Sequence, residues 1–257
     1  MQRALRVALV TAATLSLLVL AIRAQQYLFR HNAERLQHDI SAFQYGRTTF
    51  VQAQPILRYW KASVAPDESC GQGSCSGRIS VGDFAYRHSA FFSNHQRLLW
   101  AYGILGGRPA IVGADVLFRA DVLRSKSFSV ELEVFPHESA AFGFTPIGYS
   151  LLAENSVAET LPAWKLSVAS QHPTYEVGSP GGCEVCISIW AHFTSNASET
   201  DVEKVGAIDL SCLSRWFQPC RLKDDVMPAA GQIERSEDPI PVLIEPASHP
   251  PFHASKH

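Results

Sequence analysis

The chain has 257 residues and a formal net charge of −2, with 46% hydrophobic and 18% charged residues. Between an apolar N-terminal segment and a polar C-terminal tail, roughly 200 residues remain, enough to bury one sizeable core or two small ones. This part of the chain carries no basic stripe with interleaved aromatic residues, which argues against nucleic-acid binding.

The N-terminal segment is uncharged for sixteen residues between Arg6 and Arg23. About 20 apolar residues cross a bilayer, and the long stems of the two flanking arginines can extend the span. The segment is therefore an export signal or a membrane anchor. Cleavage after Ala21 or Ala24 would suit a signal peptide only moderately. We expect an uncleaved transmembrane anchor, because helical patterning continues beyond it.

A stripe of apolar residues follows the anchor. Its members recur at steps of four and three: Phe29, Ala33, Leu36, Ile40 and Phe43. This spacing places them on one face of a helix, which Gly46 is expected to end as a left-handed cap. The stripe either belongs to the core or joins two copies of the chain as a homodimer.

A second helix is predicted directly after this glycine. Thr49 and Gln52 have the spacing of a capping box, so the helix should begin there and run to about Trp60. Pro55 removes a backbone donor, which predicts a kink or a later start near Gln54. Residues 24–62 are thus predicted to form a helical hairpin.

The pattern changes to strands from Ile79 onward. The clearest alternation of apolar and polar residues runs from Phe128 to Val134. Similar patterns occupy Ala110 to Phe118, Trp164 to Ala169, Val185 to Phe193 and Ala207 to Leu210. The segment from Ala140 to Leu161 is predicted to be a long loop or a short helix. No long helical pattern separates the strands, which favours a mainly antiparallel sheet.

The tail from Ala229 to His257 contains five prolines and few large apolar residues, which predicts disorder. The predicted fold class is α+β. Its parts are a cytoplasmic stub with a transmembrane anchor (1–23), the helical hairpin (24–62), a β-rich extracytoplasmic domain (63–228) and the disordered Pro-rich tail (229–257).

Six cysteines lie downstream of the anchor: Cys70, Cys75, Cys183, Cys186, Cys212 and Cys220. An even set in turn-like settings predicts disulfides, which persist in oxidising compartments. Arginines flank the apolar segment on both sides, so charge does not decide its orientation. The cysteines decide the orientation, because disulfides require an oxidising compartment. They predict a single-pass protein of the cell membrane with its C-terminal domain outside the cytoplasm.

The pairing of these cysteines is not readable, because six allow fifteen pairings. The simplest pairs are local, namely Cys70 with Cys75 and Cys212 with Cys220. Cys183 and Cys186 have the CxxC spacing of a redox pair or of half a zinc site. Structural disulfides are favoured, because a redox pair opens a helix whereas this pair leads into a predicted strand.

Other side chains offer little chemistry. His88 and His95 lie among aromatic residues that form a ligand pocket or, more commonly, core, and neither has a metal ligand at suitable spacing. Glu131 and Glu133 lie on the polar side of the clearest strand and should face solvent. The chain has no Gly-x-Ser-x-Gly motif. We therefore assign no catalytic, cofactor-binding or metal-ligating residue, and no cofactor.

Two stretches carry a family resemblance. The run from Asn32 through Tyr45 to Gln54, with Asp209 to Leu213 and the later Cys220, resembles an uncharacterised family of bacterial membrane-anchored exported proteins. The resemblance covers most of the chain and implies no known activity. The helix, glycine, threonine and helix arrangement is also similar to the helical hairpin of BamE-type outer-membrane assembly lipoproteins.

Together these features predict a non-enzymatic, membrane-tethered extracytoplasmic domain that binds a protein or an envelope component. The membrane itself is a partner through the N-terminal helix. The alternative is an exported thiol oxidoreductase or metal-dependent hydrolase that uses Cys183 and Cys186.

Overall fold

A computed structural model describes residues 2–64, 73–93, 95–134, 149–159, 172–179, 186–215 and 220–237. The helices are α1 (Gln2–Ser41), α2 (Phe50–Tyr59), α3 (Phe84–Arg87), α4 (Ser89–Ser93), α5 (Gln96–Ile104), α6 (Glu199–Val205), α7 (Lys223–Val226) and α8 (Pro228–Glu237), with a 3₁₀ helix at Ser211–Ser214. The strands are β1 (Ser63–Val64), β2 (Ser74–Gly82), β3 (Ala110–Arg119), β4 (Val122–Val134), β5 (Tyr149–Ala158), β6 (Tyr175–Gly178) and β7 (Cys186–Thr194). The fold is α+β, as predicted.

The strands form one mixed sheet of seven strands in the order β1-β2-β3-β4-β5-β7-β6. Strands β5 and β7 run parallel, while the other neighbours are antiparallel. The prediction of a mainly antiparallel sheet is therefore corrected. The physical reason is that the chain leaves the end of β5, forms β6 at the sheet edge, and inserts β7 between the two. A parallel neighbour needs such a long connection.

Several strand predictions can be compared with the structure. The patterns beginning at Ala110, Phe128 and Val185 correspond to β3, the second half of β4, and β7. The segment from Ala207 to Leu210 is not a strand; its alternating residues Ile208 and Leu210 are buried in the core without a ladder partner among the described residues. Strand β5 lies inside the segment predicted as loop or short helix. Residues 164–169 lie outside the described residues.

Helix α1 is one unbroken helix of 40 residues. Residues 2–18 are exposed, whereas the second half buries one side chain at each step of four or three. Its buried residues are Ile22, Gln26, Phe29, Ala33, Leu36 and Ile40. The predicted stripe is confirmed from Phe29 to Ile40, and Phe43 is buried just beyond the end of the helix. Among the described helices, α1 alone is long and apolar enough to span a bilayer.

The predicted end of this helix is wrong by several residues. Helix α1 ends at Ser41, and Gly46 lies in the following turn with a φ of +68°. Its amide donates to the carbonyl of Leu123 over 3.0 Å. The glycine thus provides a left-handed turn onto the sheet rather than a helix cap.

The second helix begins with the predicted capping box. The Thr49 hydroxyl accepts from the Gln52 amide, and the Gln52 side chain accepts from the Thr49 amide. Helix α2 continues through Pro55 without interruption. Helices α1 and α2 touch where Trp60 Nε1 donates to Asp39 Oδ2 over 2.8 Å. Both nevertheless bury their apolar residues in one core with the sheet, so a self-contained helical hairpin is not confirmed.

The main core lies on one face of the sheet. It unites the α1 stripe, α2, the inward side chains of the strands, the segment around the 3₁₀ helix, and the C-terminal helices. Because Leu36 is fully buried within this core, the stripe is not available to join two chains, and a homodimer is not supported.

Order also extends into the predicted tail. Helix α8 occupies its first nine residues, because Met227 and Ala230 are fully buried and Ile233 packs against the same core. Disorder from Ala229 is therefore wrong as far as Glu237. Residues 238–257 lie outside the described residues.

Candidate functional site

An open cleft of about 570 Å³ lies at the C-terminal end of α1. Its walls are the last turn of α1, the turn at residues 42–47, the middle of β4 and β5, and the segment from residue 195 to residue 207. The residues that line the cleft are far apart in sequence, from Gln37 to Ala207. Only folding of the helix onto the sheet brings them together.

The cleft is distant from the apolar half of α1. Nineteen residues separate Ile22 from Ser41, which corresponds to roughly 28 Å at the rise of an α-helix. Because α1 has no break, this separation is held by a rigid element.

Lys126 is the central cation of the cleft. Its Nζ donates to the carbonyls of Ser41 and Phe43 over 3.1 and 2.7 Å. These carbonyls lie at the negative end of the α1 dipole. Burial lowers the pKa of Lys126, while Glu199 partly counteracts this effect. The ammonium group thus closes the end of α1 and presents positive charge to the cleft.

The opposite wall is fastened to β5 and α1. Asn155 Nδ2 donates to the carbonyl of Gly206 over 2.8 Å, and Gln37 Nε2 donates to the carbonyl of Ile208 over 3.2 Å. A Cβ at Gly206 would lie 2.3 Å from Asn155 Nδ2, so this approach requires glycine. The cleft is therefore preformed rather than created by a mobile flap.

The rim and floor of the cleft differ in chemistry. Arg47, Glu199 and Glu203 are exposed at the rim, whereas Ile40 and Phe43 are buried at the floor. The cleft can therefore contact apolar groups at its base, accept or donate hydrogen bonds along its walls, and meet charges of both signs at its edge. This arrangement is suited to binding.

One of the two predicted disulfides lies within the described residues. Cys212 and Cys220 form a disulfide with a Cα–Cα distance of 5.1 Å, as predicted. Cys75, at the start of β2, is also disulfide-bonded. Cys70 and Cys183 lie outside the described residues, and Cys186 begins β7. The thiol hypothesis for Cys183 and Cys186 thus stays untested.

The two histidines contact their own helices. Nδ1 of His88 lies 2.9 Å from the Phe84 carbonyl, and Nδ1 of His95 lies 2.8 Å from the Phe91 carbonyl. Each ring also packs on the phenylalanine four residues earlier. Within the described ranges, no group of three or more His, Cys, Asp or Glu residues could hold a metal ion.

Sequence reasoning missed a buried polar network where α1 leaves its apolar half. Asp83 and Gln26 are fully buried, and Asp83 Oδ2 accepts from Tyr102 Oη over 2.8 Å and from Gln26 Nε2 over 3.3 Å. Gln26 falls on the same helix face as the apolar stripe. A polar residue at a core position of the helix was the signal in the sequence that could have indicated this network.

A second missed feature lies on the opposite face of the sheet. Ser156 Oγ and His192 Nδ1 form a hydrogen bond, and Glu176 is the register partner of His192 on β6. Residue types alone would suit a hydrolase. However, Ser156 lies in the middle of a strand paired on both sides, so the adjacent backbone amides serve the sheet rather than an oxyanion. We make no catalytic assignment here.

Comparison of the chain with protein-family models, curated proteins and solved structures finds no match. The resemblances to a family of bacterial membrane-anchored exported proteins and to BamE-type lipoproteins therefore stay predictions.

Proposed function

We propose that this protein is a single-pass membrane-tethered binding module of the cell membrane. Its folded domain lies outside the cytoplasm, and its cleft holds a segment of a partner polypeptide. The module acts by binding and performs no chemistry of its own.

The observation that carries this proposal is the double use of α1. The first half of the helix exposes apolar side chains such as Leu9 and Leu17, which are 61% and 67% exposed. In the second half, Leu36 is fully buried in the sheet domain. Exposed apolar side chains at this density favour a hydrocarbon environment. One rigid helix would thus connect the bilayer to the core.

The cleft favours a polypeptide over a small ion or metabolite. A peptide segment offers apolar side chains to the floor near Phe43, amide groups to the walls, and charged side chains to Arg47 and Glu203 at the rim. A compact anion would instead meet the carboxylates of Glu199 and Glu203.

The proposal can be tested by peptide selection on the complete chain in lipid nanodiscs. We expect selected peptides to bind wild-type protein and to lose at least tenfold in affinity when Ala207→Trp fills the cleft. Ala207 is exposed and lines the cleft, so the indole should occupy it without displacing core. The affinities should be measured by fluorescence anisotropy.

A matched control places the same indole elsewhere on the sheet. Ser76 is exposed on β2, away from the cleft, and Ser76→Trp should leave peptide affinity unchanged. Selection of no peptide, or equal affinity in Ala207→Trp and wild type, would contradict the proposed function.

The alternative function uses thiol chemistry at Cys183 and Cys186. It requires at least one of these cysteines to be free and reactive at neutral pH. Alkylation of native protein followed by peptide mass spectrometry decides this. Permanent bridging of both residues would remove the alternative, whereas rapid labelling would favour it over the binding module.

A further inference from the structure

Three short helices lie beside the point where α1 leaves its apolar half. Ile22, the last residue of the uncharged segment, packs in a small cluster with Ala85, Phe92 and Tyr102. The Tyr102 hydroxyl oxygen also lies 2.7 Å from Gln25 Oε1. Helices α3, α4 and α5 are thereby fastened to α1 at this level.

These helices expose an unusual amount of apolar surface. Outside α1, nine large hydrophobic residues are exposed within the described part of the chain, and five of them belong to α3–α5. They are Phe84, Tyr86, Phe91, Leu98 and Ile104, which are 40–62% exposed. Such a concentration indicates an interaction surface rather than scattered exposure.

The length of the uncharged segment indicates where the boundary of the bilayer falls along α1. Its sixteen residues span about 24 Å, whereas the hydrocarbon core of a bilayer is about 30 Å thick. The boundary of the bilayer therefore falls close to Ile22. Any surface fastened to Ile22 lies at the level of the lipid headgroups.

Arginines surround the same point. The guanidinium of Arg23 lies against Gly106, where φ is +95° and a Cβ would come within 2.5 Å of Nη2. Arg23 Nη1 also donates to the carbonyl of Arg215 over 3.2 Å. Gly106 thus permits the Arg23 side chain to fold over the end of α5.

Arg108 completes this group. Its Nη1 donates to the carbonyls of Gly103 and Gly107 over 3.3 and 2.8 Å, and it forms no ion pair with a described acid. Burial, together with repulsion from Arg23 and Arg221, lowers the pKa of Arg108 to about 10. Arg23 and Arg108 thus lie close together beside the end of α5, next to Gly106 and Gly107.

We propose that α3–α5 form a second membrane contact, in which their exposed apolar side chains enter the headgroup region and Arg23 and Arg108 bind phosphates of anionic phospholipids. This inference rests on the proposed membrane anchor. Its consequence is that the domain lies on the bilayer at a fixed tilt, with the cleft directed away from the membrane. Amphipathic surfaces with flanking cations bind anionic bilayers in this way.

The test uses the complete chain reconstituted in vesicles of phosphatidylethanolamine and phosphatidylglycerol. A nitroxide is attached through a ketone-bearing amino acid at Leu98 or Ile104, which leaves the native cysteines unchanged. Collision rates with oxygen and with a water-soluble nickel complex report the depth of the label. We expect a several-fold higher oxygen-to-nickel ratio at these sites than at exposed Val51 on α2.

Two controls separate this proposal from the anchor itself. A label at Leu17 should be deeper than either test site. If Leu17 is buried in lipid while Leu98 and Ile104 behave like Val51, the second membrane contact is wrong and the anchor stands. If Leu17 also lies in water, the anchor is wrong, and with it both proposals.

The proposed binding of lipid phosphates by the arginines can be tested separately. Removing phosphatidylglycerol from the vesicles should lower the oxygen-to-nickel ratio at Ile104 in wild-type protein. Arg108→Gln should remove this lipid dependence, and Arg108→Lys should retain most of it. An identical ratio in vesicles with and without anionic lipid would overturn the assignment of phosphates to the arginines.

Discussion

At the scale of single residues, Asp83 shows how a carboxylate is kept inside this protein. Its Oδ1 accepts from the Tyr86 amide over 2.7 Å, which caps α3, and from the Ala110 amide over 3.3 Å. Its Oδ2 accepts from Tyr102 and Gln26. One side chain thus connects α1, α3, α5 and the start of β3. Burying a charged group is tolerated only with such partners.

We predict that Asp83→Ala lowers the free energy of unfolding by about 2–4 kcal/mol, because buried donors lose their acceptor. Tyr102→Phe removes one of the four donors and should cost about 1 kcal/mol. Denaturant unfolding of the complete chain in mild detergent, followed by circular dichroism, provides both values. Equal effects of the two substitutions would show that Asp83 is not the centre of the network.

The same carboxylate should make stability depend on pH. Burial raises the pKa of Asp83 above 3.8, although its hydrogen bonds oppose this shift. Between the unfolded and the higher folded pKa, the folded state holds more protons, so the contribution of Asp83 to stability decreases as pH rises through this window. Asp83→Asn cannot titrate. The free energy of unfolding of wild type minus that of Asp83→Asn should therefore decrease as the pH rises. An increase in this difference would contradict this account.

At the scale of elements, the two halves of α1 have different surroundings. The N-terminal half exposes its side chains as far as residue 18, whereas the C-terminal half buries one face against the sheet. Ala33, fully buried between Phe29 and Leu36, allows close approach of helix and sheet. The periodic face was readable from sequence because helical spacing is local.

We predict that Leu36→Ala lowers the free energy of unfolding by about 2–5 kcal/mol, since a fully buried leucine leaves a cavity. Leu28, on the same helix, is 61% exposed. Leu28→Ala should change stability by less than about 0.5 kcal/mol. Both can be measured by denaturant unfolding in detergent, with light scattering to record the oligomeric state. A changed oligomeric state without loss of stability would assign Leu36 to a subunit interface instead.

Strands were less readable than helices. The turn between β3 and β4 uses Ala120 and Asp121, both with positive φ, whereas Asn-Gly or Asp-Gly would have signalled a two-residue hairpin. The first half of β4 was missed for this reason. Strand β5 was missed because both its sides are largely covered, as at Leu151 and Ser156, which weakens the alternation that identifies a half-buried strand.

At the scale of the whole molecule, the cleft and the proposed membrane contact lie at opposite ends of the folded half of α1. A ligand in the cleft would therefore be held at a fixed height above the bilayer rather than on a flexible tether. The Cys212–Cys220 disulfide supports this rigidity, because it closes the segment that follows the cleft wall. Cross-links of this kind reduce the freedom of the unfolded chain.

The proposed orientation can be tested with the chain's own glycosylation sequon, Asn196-Ala197-Ser198. Asn196 is exposed in the turn after β7. When the chain is synthesised with microsomes, we expect one glycan at Asn196, visible as a mobility shift that enzymatic deglycosylation and Asn196→Gln both abolish. An unmodified chain whose domain is digested by added protease would place the domain on the cytoplasmic side.

The sequence by itself determined the features that depend on neighbours in the chain. These are the apolar half of α1, its buried face, the capping box at Thr49 and the central strands. Each follows from a period or a cap, so a few adjacent residues suffice to specify it. Only the tertiary structure decided the parallel place of β7, the cleft around Lys126 and the burial of Asp83. These features join side chains that are distant in sequence, and their energies arise from packing and desolvation that no local pattern records.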